Sequence, residues 1–244
     1  MFPLRAVIAA SVALRIHPNT LTLAGVLINV GAAWALGRNH FLLAGAIMVV
    51  ANIFDFIDGK VAHITNTVSR FGAFWDSTLD RFSDIALFLG LTYLYSNVRR
   101  TDYVMVASLA MMFSIMTSYA RARAESLIDK CKVGFMERPE RIVLFMIGAF
   151  TDRMAAVLWV ILILSIVTVA NRIHYTYLVL NAKPVPEGSN PLTRVFWRAF
   201  FWRDERGTFS YDLWVIAILA FTWLTPPDWL RDPTASGIGL WRWF

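Results

Sequence analysis

Between Leu21 and Val179 the chain passes through a series of long apolar stretches separated only by short polar turns. In a bilayer core the backbone finds no water to bond, so a spanning segment must satisfy its own N–H and C=O groups. For stretches of about 20 apolar residues that leaves the α-helix. Composition agrees: 57% of residues are hydrophobic, 16% are charged and the mean hydropathy is +0.54, a balance unlike that of soluble domains. An all-α integral membrane protein is expected. Its 244 residues suit six transmembrane helices with an N-terminal interfacial helix and room for a seventh, C-terminal helix.

The punctuation sets the boundaries. Phe2 to Ile16 carries Arg5 and Arg15 near its ends and lacks the small-residue cleavage region of a signal peptide. It reads as the interfacial helix. Pro18-Asn19-Thr20 breaks it, and Asn19 or Thr20 is a natural cap for the next. The spans then read Leu21 to Leu36, Phe41 to Ala62, Phe71 to Tyr95, Tyr103 to Tyr119 (continuing as a basic helix to Ile128), Glu140 to Phe150, and Met154 to Val179. After Leu180 the composition changes to Pro, Gly, Arg and aromatics, so residues 1–180 form the membrane domain and 181–244 a C-terminal extension. The extension holds one short apolar run, Tyr211 to Thr225, and seven of the ten tryptophans lie beyond residue 190, which suits an interfacial belt.

Basic residues fall unevenly across the turns. Lys60, Arg70, Arg81, Arg121, Arg123, Lys130, Lys132, Arg138 and Arg141 gather on one side; Arg38, Arg99, Arg100 and Arg153 lie on the other. The positive-inside bias puts the first group in the cytoplasm, as expected for a cell inner-membrane protein. The net charge of +6 then speaks for anionic lipid or phosphate, not nucleic acid. The lone cysteine, Cys131, excludes an internal disulfide and reads as a small buried hydrophobe.

Four carboxylates interrupt the apolar pattern: Asp55 and Asp58 at the end of the second span, Asp76 and Asp80 at the start of the third. Ionisable groups in membrane helices mark function. Spacings of three and four residues put each pair on one helix face. Such density of hard oxygen ligands suits Mg²⁺ or Mn²⁺, two ions in all, and not zinc. The short loop between the helices makes them antiparallel neighbours whose acidic pairs face each other. Gly59 and Gly72 flank the pairs and leave room for a phosphate or a flat base to approach the backbone. Two metals held this way would bridge a diphosphate and stabilise a phosphoryl transition state, with one carboxylate acting as general base.

Asp55-x2-Asp58-Gly59-x2-Ala62, then Gly72-x3-Asp76-x3-Asp80 resembles the signature of the CDP-alcohol phosphotransferases, with every spacing kept. The resemblance covers residues 15 to 180 and includes Pro18-Asn19-x-Leu21-Thr22-x2-Gly25. It implies six transmembrane helices, a homodimer and a two-metal site. Asp55, Asp58, Asp76 and Asp80 would hold metal, and Asp80 would serve as the base. Asp55, Gly59, Ala62, His63 and Gly72 would meet a CDP-diacylglycerol-type donor. The acceptor hydroxyl would attack the β-phosphorus and CMP would leave. His63 departs from the pattern, standing where the family has Arg. It lacks a permanent charge, which leaves reduced or altered activity open, with Lys60 or Arg70 as substitute cations.

A second basic cluster addresses the acceptor. Ser118-Tyr119-Ala-Arg121-Ala-Arg123-Ala-Glu125 and Glu137-Arg138-Pro-Glu140-Arg141 are similar to segments of phosphatidylinositol-phosphate synthases and their archaeal counterparts. That similarity implies a small polyol phosphate, inositol 1-phosphate, with Arg121 and Arg141 on its phosphate, Arg138 beside them and Arg172 as a third ligand. Glycerol 3-phosphate would use a similar pocket; serine would not need so many arginines. Three other readings compete. An intramembrane prenyltransferase shares the acidic pairs but not their spacing. A cation channel explains the acids but not Gly59, Gly72 or the arginines. A family member without catalysis would account for His63 and the tail.

Overall fold

The computed structural model describes residues 2–186, 189–202 and 208–234, and every regular element among them is a helix. In chain order these are α1 (Phe2–Ala13), α2 (Pro18–Gly37), α3 (Phe41–Ile64), α4 (Arg70–Asn97), α5 (Thr101–Glu125), α6 (Arg138–Thr151), α7 (Met154–Leu180), α8 (Pro191–Phe201), α9 (Phe209–Leu224) and α10 (Pro227–Leu230). Two compact units divide them, one up to Val104 and one from Met105.

The protein is an integral membrane protein. α2, α3, α5 and α7 are each long and apolar enough to cross a bilayer. α4 has the length, but Asp76, Asp80, Arg81 and Asp84 crowd the stretch from its second turn to its middle. α6 has 14 residues, about 21 Å of helix. Helix starts follow local chemistry. The cap of α2 is His17, whose Nδ1 accepts the Asn19 amide at 3.2 Å, and not Asn19 or Thr20. Pro18 then stands in the first turn, where its missing N–H costs nothing. Ser69 caps α4 by accepting the Gly72 amide at 3.0 Å.

In the first unit α2 is the central element. It packs extensively on both α3 and α4, whereas α3 and α4 make little backbone contact with each other. The expectation that the two acid-bearing helices are packed neighbours is corrected here. α2 can serve both because its inward positions are small or polar: Thr22, Gly25, Asn29, Ala32 and Ala33 are all buried. Leu23, Leu27, Val30 and Trp34, on the opposite stripe, are exposed. The apolar stripe looks outward because the solvent is lipid, and association rests on close packing and polar bonds. One such bond joins Asn29 Nδ2 to Ser83 Oγ at 2.6 Å. α1 adds Leu4, Ile8 and Val12 to a cluster with Leu21, Ile57 and Val61, so these side chains rest on the start of α2 and the end of α3.

Gly90 marks the tightest point. A Cβ there would stand 2.3 Å from the Ala33 carbonyl oxygen on α2. Gly90→Ala must push the two backbones apart. We expect it to lower stability by about 1–3 kcal/mol, read as earlier thermal unfolding in detergent, while Gly31→Ala, inside α2 with open space around it, should leave the melting point the same or slightly higher.

In the second unit α7 is the central element, packed against α6, α8, α9 and α10. Residues 126–137 form an irregular segment seated on α7. Gly134 has φ +92°, and a Cβ on it would lie 2.5 Å from Thr168 Cγ2, so only glycine fits both the conformation and the space. Met136 N–H donates to Thr168 Oγ1 at 3.1 Å and Gly134 N–H to the Phe201 carbonyl at 3.1 Å. The apolar run of the extension is the helix α9, docked on α7, with Phe135, Trp202 and Tyr211 in ring contact beside it. Trp241 and Trp243 of the expected tryptophan belt lie outside the described residues.

Cys131 is fully buried beside Ala124 and Val133. Burial pushes its thiol above the ordinary cysteine range. A raised pKa keeps the unreactive thiol form to higher pH. Maleimide should therefore fail to label the folded protein at pH 8 and label it fully once SDS unfolds it.

Candidate active site

The acidic residues sit where α3 ends and α4 begins. One carboxylate oxygen from each of Asp55, Asp76 and Asp80 lies within 4.8 Å of the others. Asp80 is buried, and Arg81 Nη1 lies 3.7 Å from its Oδ2. Three negative charges this close repel one another unless a cation lies among them. An all-oxygen donor set with no histidine or cysteine suits a hard divalent ion. These three aspartates have the spacing to hold one; the four-residue step from Asp76 to Asp80 keeps both on one face of α4.

Asp58 is not one of the three. It is buried, its Oδ2 accepts the Thr22 hydroxyl at 2.5 Å, and it lies within electrostatic reach of Asp55 and Asp76. That bond fixes Asp58 against α2 and presents it to an adjoining cavity of about 170 Å³. The cavity is lined by Asp58, Gly59, Ala62, His63, Gly72 and Asp76. Asn19 and Thr22 close it from the start of α2. The volume is below the ~300 Å³ of a pocket for a whole drug-sized ligand; it suits a phosphate or one flat ring. A Cβ on Gly59 would meet nothing within 4 Å, while one on Gly72 would come 3.2 Å from Ser69 Oγ and 3.7 Å from Asn19 Oδ1. Glycine at 59 leaves the cavity open, and glycine at 72 protects the cap.

Neither Lys60 nor Arg70 lines this cavity. Lys60 Nζ instead lies 5.5 Å from the centre of the Phe56 ring. His63 is the basic side chain on the cavity wall.

The arginines form a network in the second unit. Arg121 Nη1 donates to Glu137 Oε1 at 2.7 Å and its Nε to Glu125 Oε1 at 3.1 Å. Arg172 reaches the same Glu137 oxygen at 3.4 Å, and its Nε donates to the Val133 carbonyl at 3.0 Å. Arg172 Nη1 donates to the Thr117 carbonyl, and Arg141 Nη1 to the Thr117 hydroxyl at 3.2 Å. Arg141 and Arg172 are 1% and 2% exposed, so both charges are held in place with little freedom. Arg138 opens α6 one residue after Glu137. Arg123 points elsewhere, to Ser126 Oγ at 3.1 Å, and Lys130 and Lys132 are exposed. Arg121, Arg138, Arg141 and Arg172 outnumber Glu125, Glu137 and Glu140, which leaves an excess of positive charge for an anion.

Thr22, Thr117 and Glu137 carry this geometry without having been assigned roles from sequence. Thr22 and Thr117 left a faint signal, as polar residues inside apolar spans. Glu137 left none beyond its place in an acidic-basic run.

Comparison with known proteins bears on the same residues. A family model described as CDP-alcohol phosphatidyltransferase matches residues 15–182. The archaetidylinositol phosphate synthase of Pyrococcus horikoshii is 34% identical over 173 residues, covering 70% of this chain and 89% of that protein. The phosphatidylinositol phosphate synthase of Mycobacteroides abscessus is 34% identical over 166 residues, covering 64% and 76%. A crystal structure of the Mycobacterium tuberculosis phosphatidylinositol phosphate synthase with CDP-DAG bound superposes with a TM-score of 0.68 at 25% identity, covering 72% of this chain and 94% of that one. Another, in complex with manganese and citrate, gives 0.67 at 26%, covering 70% and 88%.

Proposed function

The chain belongs to the CDP-alcohol phosphatidyltransferase family, and on that premise we propose that it transfers a phosphatidyl-type group from a CDP-lipid to inositol 1-phosphate, releasing CMP. The meeting of Asp55, Asp76 and Asp80 within 4.8 Å carries this reading. A cation site beside a phosphate-sized cavity is what a diphosphate donor needs. Relatives named for inositol-phosphate lipid synthesis support the acceptor.

Asp55, Asp76 and Asp80, with Asp58 beside them, would hold two divalent ions, Mg²⁺ or Mn²⁺. Metal held there would supply positive charge to offset that of the donor diphosphate and of the transition state. Asp58, fixed by Thr22, lines the cavity with Gly59, Ala62, His63 and Gly72, and this wall takes the cytidine diphosphate end of the donor. Asp80 removes the proton from the acceptor hydroxyl. That oxygen forms the new bond to the β-phosphorus as the bond to CMP breaks. Arg121, Arg141 and Arg172, with Arg138, bind the acceptor's phosphate; planar guanidinium groups match its paired oxygens. His63 in place of arginine leaves the donor wall without a permanent positive charge. α2 to α7 make six membrane spans, α1 lies in the interface and α9 is a seventh apolar helix. The protein works as a homodimer in a cell inner membrane with its active site toward the cytoplasm, where the basic residues concentrate.

The test is CMP release by the purified protein with CDP-diacylglycerol and Mg²⁺ or Mn²⁺, comparing inositol 1-phosphate, glycerol 3-phosphate, inositol and serine. Metal-dependent release stimulated most by inositol 1-phosphate is expected. Stimulation by glycerol 3-phosphate instead would reassign the acceptor. No release with any of the four would overturn the catalytic reading.

A further inference from the structure

A larger cavity lies in the second unit, lined by none of the arginines of the Glu137 network. It measures about 630 Å³ and lies between the α6–α7 corner and α9. Ile147 and Phe150 of α6 form one wall, and Ile216, Ala220 and Trp223 of α9 form the other. One charged side chain lines it, Arg153. The helix that closes it belongs to the extension beyond the family match, which ends at residue 182.

Arg153 is the N-cap residue of α7, and its Nη1 donates to the Thr225 carbonyl at the end of α9 at 3.0 Å. That bond ties the two helix ends together and uses one of the five N–H donors of a guanidinium group. The side chain is half-buried. Its level in the bilayer follows from α7 itself. Nineteen residues separate Arg153 from Arg172 along one helix, about 28 Å at 1.5 Å per residue. That is close to the ~30 Å thickness of the hydrocarbon core. The cavity therefore opens at the membrane face opposite the one Arg172 occupies.

We propose that this cavity is a binding site for one anionic phospholipid of that leaflet, with the headgroup phosphate on Arg153 and an acyl chain between α6 and α9. Charge complementarity selects the occupant. A lone arginine in a cleft otherwise lined by apolar side chains and the hydroxyls of Thr151 and Thr222 attracts an anion, and at the membrane surface an anion joined to a hydrocarbon chain is a lipid. Its volume lies within the 300–1,000 Å³ range typical of ligand pockets. Leu224 and Trp223, exposed at the rim, suit the headgroup boundary. The lipid would tie the extension to the membrane domain and so act as a structural ligand; it takes no part in the reaction.

Native mass spectrometry of the full chain in detergent, with phosphatidylglycerol or phosphatidylcholine of matched chains added, tests this. The wild type should retain one phosphatidylglycerol with at least tenfold preference over phosphatidylcholine, in the presence of EDTA as well as in its absence. Arg153→Gln should lose that preference, and Arg153→Lys should keep most of it. Ala220→Phe should lower retention of both lipids by filling the cleft. Monodisperse elution and an unchanged helical circular dichroism spectrum would establish that each variant is folded. Equal phosphatidylglycerol retention by folded wild type and Arg153→Gln would overturn the proposal. So would retention abolished by EDTA, which would assign the lipid to the acidic trio.

Discussion

Asp80→Asn is expected to lower turnover by about a thousandfold or more while leaving divalent-cation binding largely in place. Asparagine is nearly the same size as aspartate and keeps one carbonyl oxygen for a metal, but it cannot accept a proton at neutral pH. Loss of a positioned general base costs about 10²–10⁴ in rate, and a weakened charge balance beside the metal adds to it. Asp55 and Asp76 remain to hold the ion, with Asp58 supported by Thr22. Asp55→Asn provides the contrast: it should weaken Mn²⁺ binding and lose activity through that loss, so excess Mn²⁺ should recover part of its rate. The measurements are CMP release at saturating Mn²⁺ and a Mn²⁺ titration followed by electron paramagnetic resonance. Turnover of Asp80→Asn within tenfold of the wild type would remove Asp80 from the role of base.

Much of this was legible because the bilayer simplifies the sequence. A span must be helical and apolar, so α2, α3, α5 and α7 announce themselves by hydropathy, and an acid within a span stands out against that background. What sequence could not give was the neighbour relation. The loop between α3 and α4 is short, and short loops normally join packed helices. Yet α2 lies against both, because Gly25, Ala32, Ala33 and Gly90 let backbones approach closely. Small residues leave no periodic signal of their own, so the partner they select stays hidden. The carboxylates still meet because Asp55, Asp76 and Asp80 reach toward one another beside α2. The arginine network was half legible. The basic residues were visible, but Thr117 and Glu137, which hold them, are separated from Arg172 by 55 and 35 residues, and spacing within one element carries no information across that distance.

Arg121→Gln is expected to raise the KM for inositol 1-phosphate by about thirtyfold, with the donor KM nearly unchanged. Arg121 is about one-third exposed and is held by carboxylates on two sides, Glu125 and Glu137. An incoming phosphate, with up to two negative charges, competes for the same donors. A charged hydrogen bond to such a group contributes about 1.5–3 kcal/mol, and about 2 kcal/mol corresponds to the stated factor. The fold should tolerate the change, because partly exposed ion pairs add little to stability. Arg172→Gln should behave differently. That guanidinium is 2% exposed and bonds Glu137, Val133 and Thr117. Removing its charge leaves the Val133 and Thr117 carbonyls short of a buried donor, which costs about 1–3 kcal/mol for each. Its variant should therefore lose acceptor affinity and melt earlier, whereas Arg121→Gln loses affinity alone. The pair of measurements would separate the two roles proposed for these arginines: Arg121 to bind the ligand, Arg172 also to hold the loop that presents it. If Arg121→Gln raised donor and acceptor KM values equally, the phosphate pocket would have to be sought elsewhere.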